Sequence, residues 1–433
     1  MVNEAICPAL VVAAPSSGAG KTTVVAAIAR YYRNQGKKVR VFKTGPDFID
    51  PAFLSHASGA PVYQLDFWMC GLEHCQQLLY KAAQEADLIL IEGVMGMFDG
   101  QCSSADIAAK IGIPVMVVVD AGAMAQTFGA IVYGLANFRQ DVEVAACFAN
   151  RVGSPRHFDM LQQSVSSDTP LLSYLPKSEQ FSFPDRHLGL VQAQELTDLE
   201  QRLESAAQSI GAHWQLPARE TVFSHLPVHS IEPVLQGKTI AIAQDCAFSF
   251  LYQANIDCLE QLGAKLSYFS PVAGDSLPEC DAVYLVGGYP ELHLEKLHDN
   301  CKLREILRDA VTNGIPVVAE CGGMLFLQDS IEATNGKSLQ MCGALKANSK
   351  MQTKLAALGL VEAELASDEV LRGHTFHYSK TTTSLSAWKQ SVSQYGRPSE
   401  AIYRVNNLIA SYVHWYFASN PSLTAKMFLG ELD

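Results

Sequence analysis

Basic charge is scarce in this chain: 32 Lys and Arg stand against 44 Asp and Glu in 433 residues, a formal net charge of −12. No broad positive field exists to neutralise the phosphates of a nucleic acid, which argues against that class of partner and leaves only a local basic pocket open. A disulfide framework is also missing. The eleven cysteines are odd in number, none stand in a C-x-x-C pair, and their irregular spacing suits free thiols in a reducing compartment. No apolar run approaches the ~20 residues that span a bilayer. The first residues carry Glu4, have no basic leader and run into a core strand at 9–13, unlike a secretory signal. Together these features predict a cytoplasmic location. Internal repeats and low-complexity tracts are absent as well. What remains is a 48% hydrophobic, 18% charged globular chain, long enough for at least two domains with full cores.

Up to about residue 210, short β-branched runs at 9–13, 38–43, 87–91, 114–119, 144–149 and 170–174 alternate with helix-like segments at 22–34, 72–85, 124–137 and 194–210. Continuous apolar strands separated by crossovers predict a mostly parallel sheet covered on both faces. Residues 211–236 carry Pro217, Pro227 and Pro233 without a sustained period and read as a linker; His225 and His229 within it read as solvated. A second domain, 237–433, begins with strand-like runs at 238–243, 265–269, 282–286 and 316–319 and helices near 249–262 and 303–313. Beyond residue 340, alternation with hairpin-like spacing through 373–380 and 408–417 predicts added antiparallel strands. The fold class is therefore α/β in both domains.

The first strand ends in Ala14-Pro15-Ser16-Ser17-Gly18-Ala19-Gly20-Lys21-Thr22-Thr23 and passes directly into a helix. Such a loop aims backbone N–H groups at phosphate, with Ser17, Gly18, Gly20 and Thr23 in the cradle. Lys21 reaches the β/γ oxygens and the Thr22 hydroxyl is offered to Mg²⁺. Pro15 stands where the usual G-x-x-x-x-G-K-[ST] pattern has its first Gly. Two further strand ends supply acids, the 45–51 loop with Asp47 and the 92–100 loop with Glu92. Ligands of parallel α/β sheets collect at the carboxyl ends of strands, which makes Asp47 and Glu92 the Mg²⁺ candidates. Taken singly, Asp47 reads equally as a helix N-cap and Glu92 as a turn acid. Lys43, at the end of the second strand, is placed to steady the phosphates or merely to end its strand.

In the second domain the apolar run 315–319 breaks into Glu320-Cys321-Gly322-Gly323 and then the helix-like 324–327. A side chain on a sharp strand-to-helix turn projects clear of the sheet, and the N–H groups that follow favour a thiolate and an oxyanion. Cys321 is thus a candidate nucleophile, while the other ten cysteines read as buried small hydrophobes.

The motifs Gly45-Pro46-Asp47-Phe48-Ile49-Asp50-Pro51, the 92–100 loop, Asn150-Arg151-Val152-Gly153, Leu175-Pro176, the 186–190 run, the 287–293 run and 319–323 resemble those of the cobyrinic acid a,c-diamide synthases, glutamine-dependent amidases of cobalamin synthesis. The resemblance extends over nearly the whole chain. It implies a P-loop, dethiobiotin-synthetase-like ATPase domain that tolerates Pro15, followed by a flavodoxin-like class I glutaminase domain. Thr22, Asp47 and Glu92 would then ligate Mg²⁺, with Asn150 beside the nucleotide base. Cys321 would attack the glutamine amide, with His414 as the base that activates it and the backbone N–H groups of Gly288 and Gly322 as oxyanion donors. Many class I members carry Glu two residues after this His, where this chain has Tyr416. His374 and His377, three apart on a strand, point to opposite faces, which argues against joint chelation of a metal; a structural or substrate-cleft role suits them.

The chemistry so implied joins two sites. ATP phosphorylates a carboxylate of a corrinoid polycarboxylic acid, ammonia released from glutamine at Cys321 attacks the acyl phosphate, and a passage shields the ammonia from water. Relatives that form homodimers leave a homodimer open. The same amidation on another tetrapyrrole, such as sirohydrochlorin, its nickel complex or sirohaem, is an alternative reading. A regulatory P-loop ATPase with an inert glutaminase-like appendage is another.

Overall fold

The computed structural model describes residues 4–432 apart from 184, 187–188, 212–215 and 228–230. His229 and part of the 186–190 motif therefore lie outside the described residues. The chain divides into two compact units at residues 228/229. Among the described residues no helix is long and apolar enough to cross a membrane.

In the first unit the strands are β1 (Glu4–Ala13), β2 (Val39–Thr44), β3 (Tyr63–Leu65), β4 (Leu88–Glu92), β5 (Val115–Asp120), β6 (Val144–Val152) and β7 (Leu171–Pro176). A two-residue pair, β8 (Asp185–Arg186) and β9 (Gly189–Leu190), follows, and then β10 (Arg219–Ser224). The main sheet runs β3-β2-β4-β1-β5-β6-β7, all parallel. Helices α1 (Lys21–Asn34), α2 (Asp50–Ser58), α3 (Leu72–Ala83), α4 (Ser104–Ile111), α5 (Thr127–Asn137), α6 (Pro155–Gln162) and α7 (Leu199–Ser209) connect and cover it. The second half of β1, residues 9–13, is apolar and buried at every position because it lies inside the sheet with both faces covered. Leu10 and Val12 pack with Val24, Ala27 and Ile28 of α1 in one core.

One expectation is corrected here. Residues 219–224, read from sequence as linker, form β10, which pairs antiparallel with the start of β1 from Glu4↔Ser224 to Ala9↔Arg219. The run Arg219-Glu220-Thr221-Val222-Phe223-Ser224 alternates exposed and buried side chains, the period-2 signal of a half-buried strand. The prolines flanking it masked that signal. His225, just beyond, is exposed but sets its ring edge-on against Tyr80 at 5.1 Å.

In the second unit β11 (Thr239–Ala243), β12 (Lys265–Phe269), β13 (Ala282–Leu285) and β14 (Val317–Glu320) alternate with α8 (Gln253–Gln261), α9 (Leu294–Asp299) and α10 (Cys301–Thr312); α11 (Gly322–Leu327) follows β14. The later strands are β15 (Gln328–Glu332), β16 (Ser338–Gln340), β17 (Leu345–Met351), β18 (Ala357–Ala366), β19 (Glu369–His377) and β20 (Ser379–Thr383). They continue with β21 (Lys389–Ser393), β22 (Pro398–Val405), β23 (Leu408–Ser411) and β24 (His414–Trp415), before α12 (Pro421–Leu429). The large sheet runs β12-β11-β13-β14-β23-β22-β21-β18-β19-β24. It is parallel from β12 through β23 and antiparallel beyond. β15, β16, β17 and β20 make a smaller sheet of their own.

Candidate active sites

The phosphate loop lies between β1 and α1. Gly20 caps α1 in the left-handed region (φ 89°), and no side chain caps the helix. The first N–H groups of α1 are thus left for a ligand at the positive end of the helix dipole. Ser17 and Gly18 are exposed on the loop, while Thr22 and Thr23 are half-buried. Lys21 is buried, and its ammonium donates to the carbonyls of Met95 at 2.7 Å and Ser16 at 3.2 Å. Burial pulls its pKa down to about 8, against the opposing attraction of Glu92. The Met95 contact brings the 92–100 loop onto the phosphate loop, as expected for neighbouring strand ends.

Thr22, Lys43, Asp47 and Glu92 do converge. The Thr22 hydroxyl donates to Glu92 Oε1 at 2.7 Å, and Lys43 Nζ donates to the same oxygen at 2.9 Å. Lys43 also pairs with Asp50 at 2.7 Å and stands 3.6 Å from Asp47. Burial alone would lower the Lys43 pKa, but the carboxylates of Asp50, Glu92 and Asp47 outweigh it and hold the ammonium well above its usual value. Among the acids, Asp47 is raised by burial and by the charge of Asp50, and Glu92 is raised by burial. Asp50 is lowered, since Lys43 more than offsets its burial. Sequence reasoning missed Asp50. Its spacing, three residues after Asp47 and at the start of α2, was the available signal.

Glu92 is fully buried and its second oxygen, Oε2, has no hydrogen-bond partner. An orphaned carboxylate oxygen beside a Thr hydroxyl fits a hard divalent cation, which takes oxygen ligands. Among the described residues no three acid, imidazole or thiol side chains form a complete metal cage. A magnesium–nucleotide site needs none, because phosphate and water supply most of its ligands.

Asn150, at the end of β6, lies under the loop. Its amide donates to the Ala19 carbonyl at 2.9 Å, and its side-chain oxygen accepts from the Arg151 N–H at 3.0 Å. A Cβ on Gly20 would fall 2.0 Å from Asn150 Nδ2, so glycine is required at that point of the loop.

In the second unit the nucleophile elbow has the expected form. Cys321 follows the last residue of β14, caps α11 and adopts φ 40°, ψ −107°, a conformation that costs a non-glycine residue on the order of 1–3 kcal/mol. Its N–H donates to Ser411 O at 2.7 Å and its carbonyl accepts from Leu325 N–H at 2.9 Å, so β23 and α11 hold the turn. A Cβ on Gly322 would fall 2.9 Å from the backbone nitrogen of Gly288, so the two expected oxyanion donors belong to chain segments in close approach.

The expected thiolate is corrected. Burial pushes the Cys321 thiol far above its ordinary range, with Glu291 adding to the rise; only the Gly322 N–H opposes them as a hydrogen-bond donor. The first N–H groups of a six-residue helix do not offset the loss of water around a thiol that is 6% exposed. Deprotonation therefore needs a base. His414 begins β24, three residues beyond the end of β23, the parallel neighbour of β14. Burial, with the histidines His374 and His377 nearby, holds its imidazole well below the usual pKa and so uncharged.

His374 and His377 make different contacts, although both lie near enough to lower the His414 pKa. His374 faces His414 across β19 and β24, and the two rings stack with centroids 5.0 Å apart. Its Nδ1 bonds the Tyr252 hydroxyl at 2.8 Å, and burial lowers its pKa to about 3. His377 stacks on Tyr412 at 3.6 Å and bonds Glu400 at 3.1 Å. A cavity of about 490 Å³ opens there, lined in part by Lys354, His377, Lys380, Glu400 and Tyr412. Glu400 also accepts from the Thr375 hydroxyl at 2.8 Å, and its charge contributes to the rise of the Cys321 thiol. The sequence singled out neither Glu400 nor the two lysines, which stand in ordinary strand and loop contexts.

A family model described as a CobQ/CobB/MinD/ParA nucleotide binding domain matches residues 10–191, and one described as a CobB/CobQ-like glutamine amidotransferase domain matches residues 239–422. The hydrogenobyrinate a,c-diamide synthase of Pseudomonas aeruginosa is 48% identical over 98% of this chain and 98% of its own length. The chain belongs to the a,c-diamide synthase family. Its Stutzerimonas stutzeri relative of the same name is 49% identical over 97% of this chain and 98% of that protein. A cobyrinate a,c-diamide synthase from Herminiimonas arsenicoxydans is 46% identical over 96% and 95%, respectively. Membership makes the chain an enzyme of the glutamine-dependent C–N ligase type, with a nucleotide-binding domain and a glutamine amidotransferase domain.

Proposed function

We propose that this chain amidates the a and c acetate carboxylates of cobyrinic or hydrogenobyrinic acid, using ATP and glutamine. The single observation that best supports this reading is the strained Cys321 turn at the end of β14, bound to the end of the neighbouring β23 three residues before His414. It ties the turn that carries the buried thiol to the strand that leads to His414, whose imidazole burial keeps neutral. His414 accepts the thiol proton as sulfur attacks the amide carbon of glutamine, then protonates the departing nitrogen; water hydrolyses the γ-glutamyl thioester. Gly288 and Gly322 N–H groups receive the oxyanion. Glutamine is seated with its amino-acid end in the cavity near Cys321, where Glu400 meets the ammonium and Lys354 or Lys380 the carboxylate.

At the other site a substrate carboxylate oxygen attacks the γ-phosphorus of ATP, ADP leaves, and ammonia displaces phosphate from the acyl phosphate to give the amide. Lys21 and the first N–H groups of α1 hold the phosphates, and Asn150 fixes the loop that carries them. Thr22, Asp47 and Glu92 hold Mg²⁺, whose chemistry there is neutralisation of phosphate charge.

Cys321→Ala tests the division of labour. It should abolish amidation driven by glutamine and leave amidation driven by ammonium salts, read as the mass increase of cobyrinic and hydrogenobyrinic acids. Loss of both would overturn the assignment of the two sites, and amidation of sirohydrochlorin in place of either corrinoid would overturn the substrate.

A further inference from the structure

Glu320 ends β14, immediately before the nucleophile, and the glutaminase chemistry above gives it no work. The strand reads Val317-Val318-Ala319-Glu320 and is buried throughout, with Glu320 only 1% exposed. An apolar residue there would avoid the desolvation penalty of a buried carboxyl. Something must hold the acid in place. Its Oε1 accepts from the Trp415 N–H at 3.1 Å, and the Tyr284 hydroxyl is a further hydrogen-bond partner. Its Oε2 stands 3.9 Å from His414 Nδ1.

These contacts form a bracket around one residue. Trp415 follows His414, so one oxygen of Glu320 fixes the backbone beside the base while the other faces the ring. Asn255 completes the hold: it donates to Trp415 O at 2.8 Å and to the Tyr284 hydroxyl at 3.3 Å, and accepts from the Phe417 N–H at 2.8 Å. On the remaining sides, His374 stacks on the ring, Phe250 lies 5.9 Å away between centroids, and Gly287 abuts Cε1. His377 is the other titratable group felt by His414. At the position two residues after the base, where a carboxylate would orient the imidazole, the side chain is Tyr416.

We infer that Glu320 is the positioning acid of the Cys321–His414 pair, supplied from the residue before the nucleophile in place of the carboxylate absent at position 416. The inference rests on the glutaminase reading of Cys321 and His414. A closure of about 1 Å brings Oε2 within hydrogen-bond reach of Nδ1. Accepting the Nδ1–H there selects the tautomer in which Nε2 carries the lone pair that takes the thiol proton. Burial raises the Glu320 carboxyl well above its ordinary range and lowers His414 below its own. The Tyr284 hydroxyl donates to the carboxylate and opposes the rise, and even a protonated carboxyl keeps one oxygen able to accept.

Steady-state glutamine hydrolysis by the full chain, measured across pH, tests this. Glu320→Gln offers an amide N–H to Nδ1 and so stabilises the wrong tautomer. It is expected to lose at least about 100-fold in kcat with KM changed less than about threefold, as for other triads whose orienting acid becomes an amide. Tyr284→Phe keeps the acid but removes a hydrogen bond that holds it, and should lower kcat about three- to tenfold with the pH profile displaced; it serves even where Glu320→Gln fails to fold. A Glu320→Gln enzyme with kcat within threefold of the wild type would overturn the proposal. So would a fall in kcat matched by an equal rise in KM and a lower melting temperature, which marks a structural role. Absence of glutamine hydrolysis in the wild type would overturn the glutaminase reading itself; a normal wild-type rate with an unimpaired variant overturns the role of Glu320 alone.

Discussion

Thr22 donates its hydroxyl to Glu92 across 2.7 Å, which joins the first turn of α1 to the last residue of β4 at one buried carboxylate. The pairing leaves Glu92 Oε2 without a partner. An unsatisfied buried carboxylate oxygen is unfavourable by about 1–3 kcal/mol or more, a cost that the proposed Mg²⁺ would relieve.

Glu92→Gln is therefore expected to lower ATP turnover by at least about 100-fold, on the scale of losing a preorganised charge-stabilising group. Glutamine-driven and ammonia-driven amidation should fall together, because the lesion lies upstream of both. The half-saturating Mg²⁺ concentration should rise in a titration of ADP formation. Normal ADP formation in this variant would remove Glu92 from the metal site.

Lys21 makes nucleotide affinity depend on pH with a definite sign. Burial brings its pKa to about 8, and phosphate binds the ammonium form. Below pH 8 the free enzyme already carries that proton and affinity is level. Above it, binding must take a proton up, and ATP affinity should fall by up to about tenfold per pH unit. Calorimetry in buffers of different ionisation heat should register this uptake near pH 8.5 and almost none near pH 6.5. A flat profile across that range would show that Lys21 stays charged throughout.

The parallel sheets and both site loops were legible in the sequence because their signals are local. A buried parallel strand is an apolar run, and the loops at 14–23 and 320–323 carry their glycines within a few residues of the reactive side chain. What was not legible depends on contacts distant in sequence. Glu320 is unremarkable until β24 brings Trp415 and His414 to it, some 95 residues later. Asp50 gains its meaning from Lys43 and the end of β4, and β10 from pairing with a strand more than 200 residues earlier. The thiolate expectation failed for a related reason: helix position is local, whereas desolvation sums over everything packed around the thiol. His374 shows the limit from the other side. Its place on a strand was legible, but its stacking on His414 needed the register of β19 on β24.

Gly287 provides a steric test of where the base sits. A Cβ built at this position would fall 2.1 Å from His414 Cε1 and 2.7 Å from Nδ1, far inside van der Waals contact. The ring cannot retreat towards His374, which stacks on its other side with Tyr252 bonded behind it. In Gly287→Ala the imidazole must therefore swing away from Glu320 or the 287–290 loop must shift, and either movement disturbs the thiol's base or the Gly288 oxyanion donor. Glutamine hydrolysis should fall by about 100-fold or more, since displacement of a reacting group by 1 Å is enough for that loss. ATP binding to the first unit, measured by calorimetry, should stay within about threefold of the wild type. If Gly287→Ala hydrolyses glutamine at the wild-type rate, His414 does not act from the position it holds here.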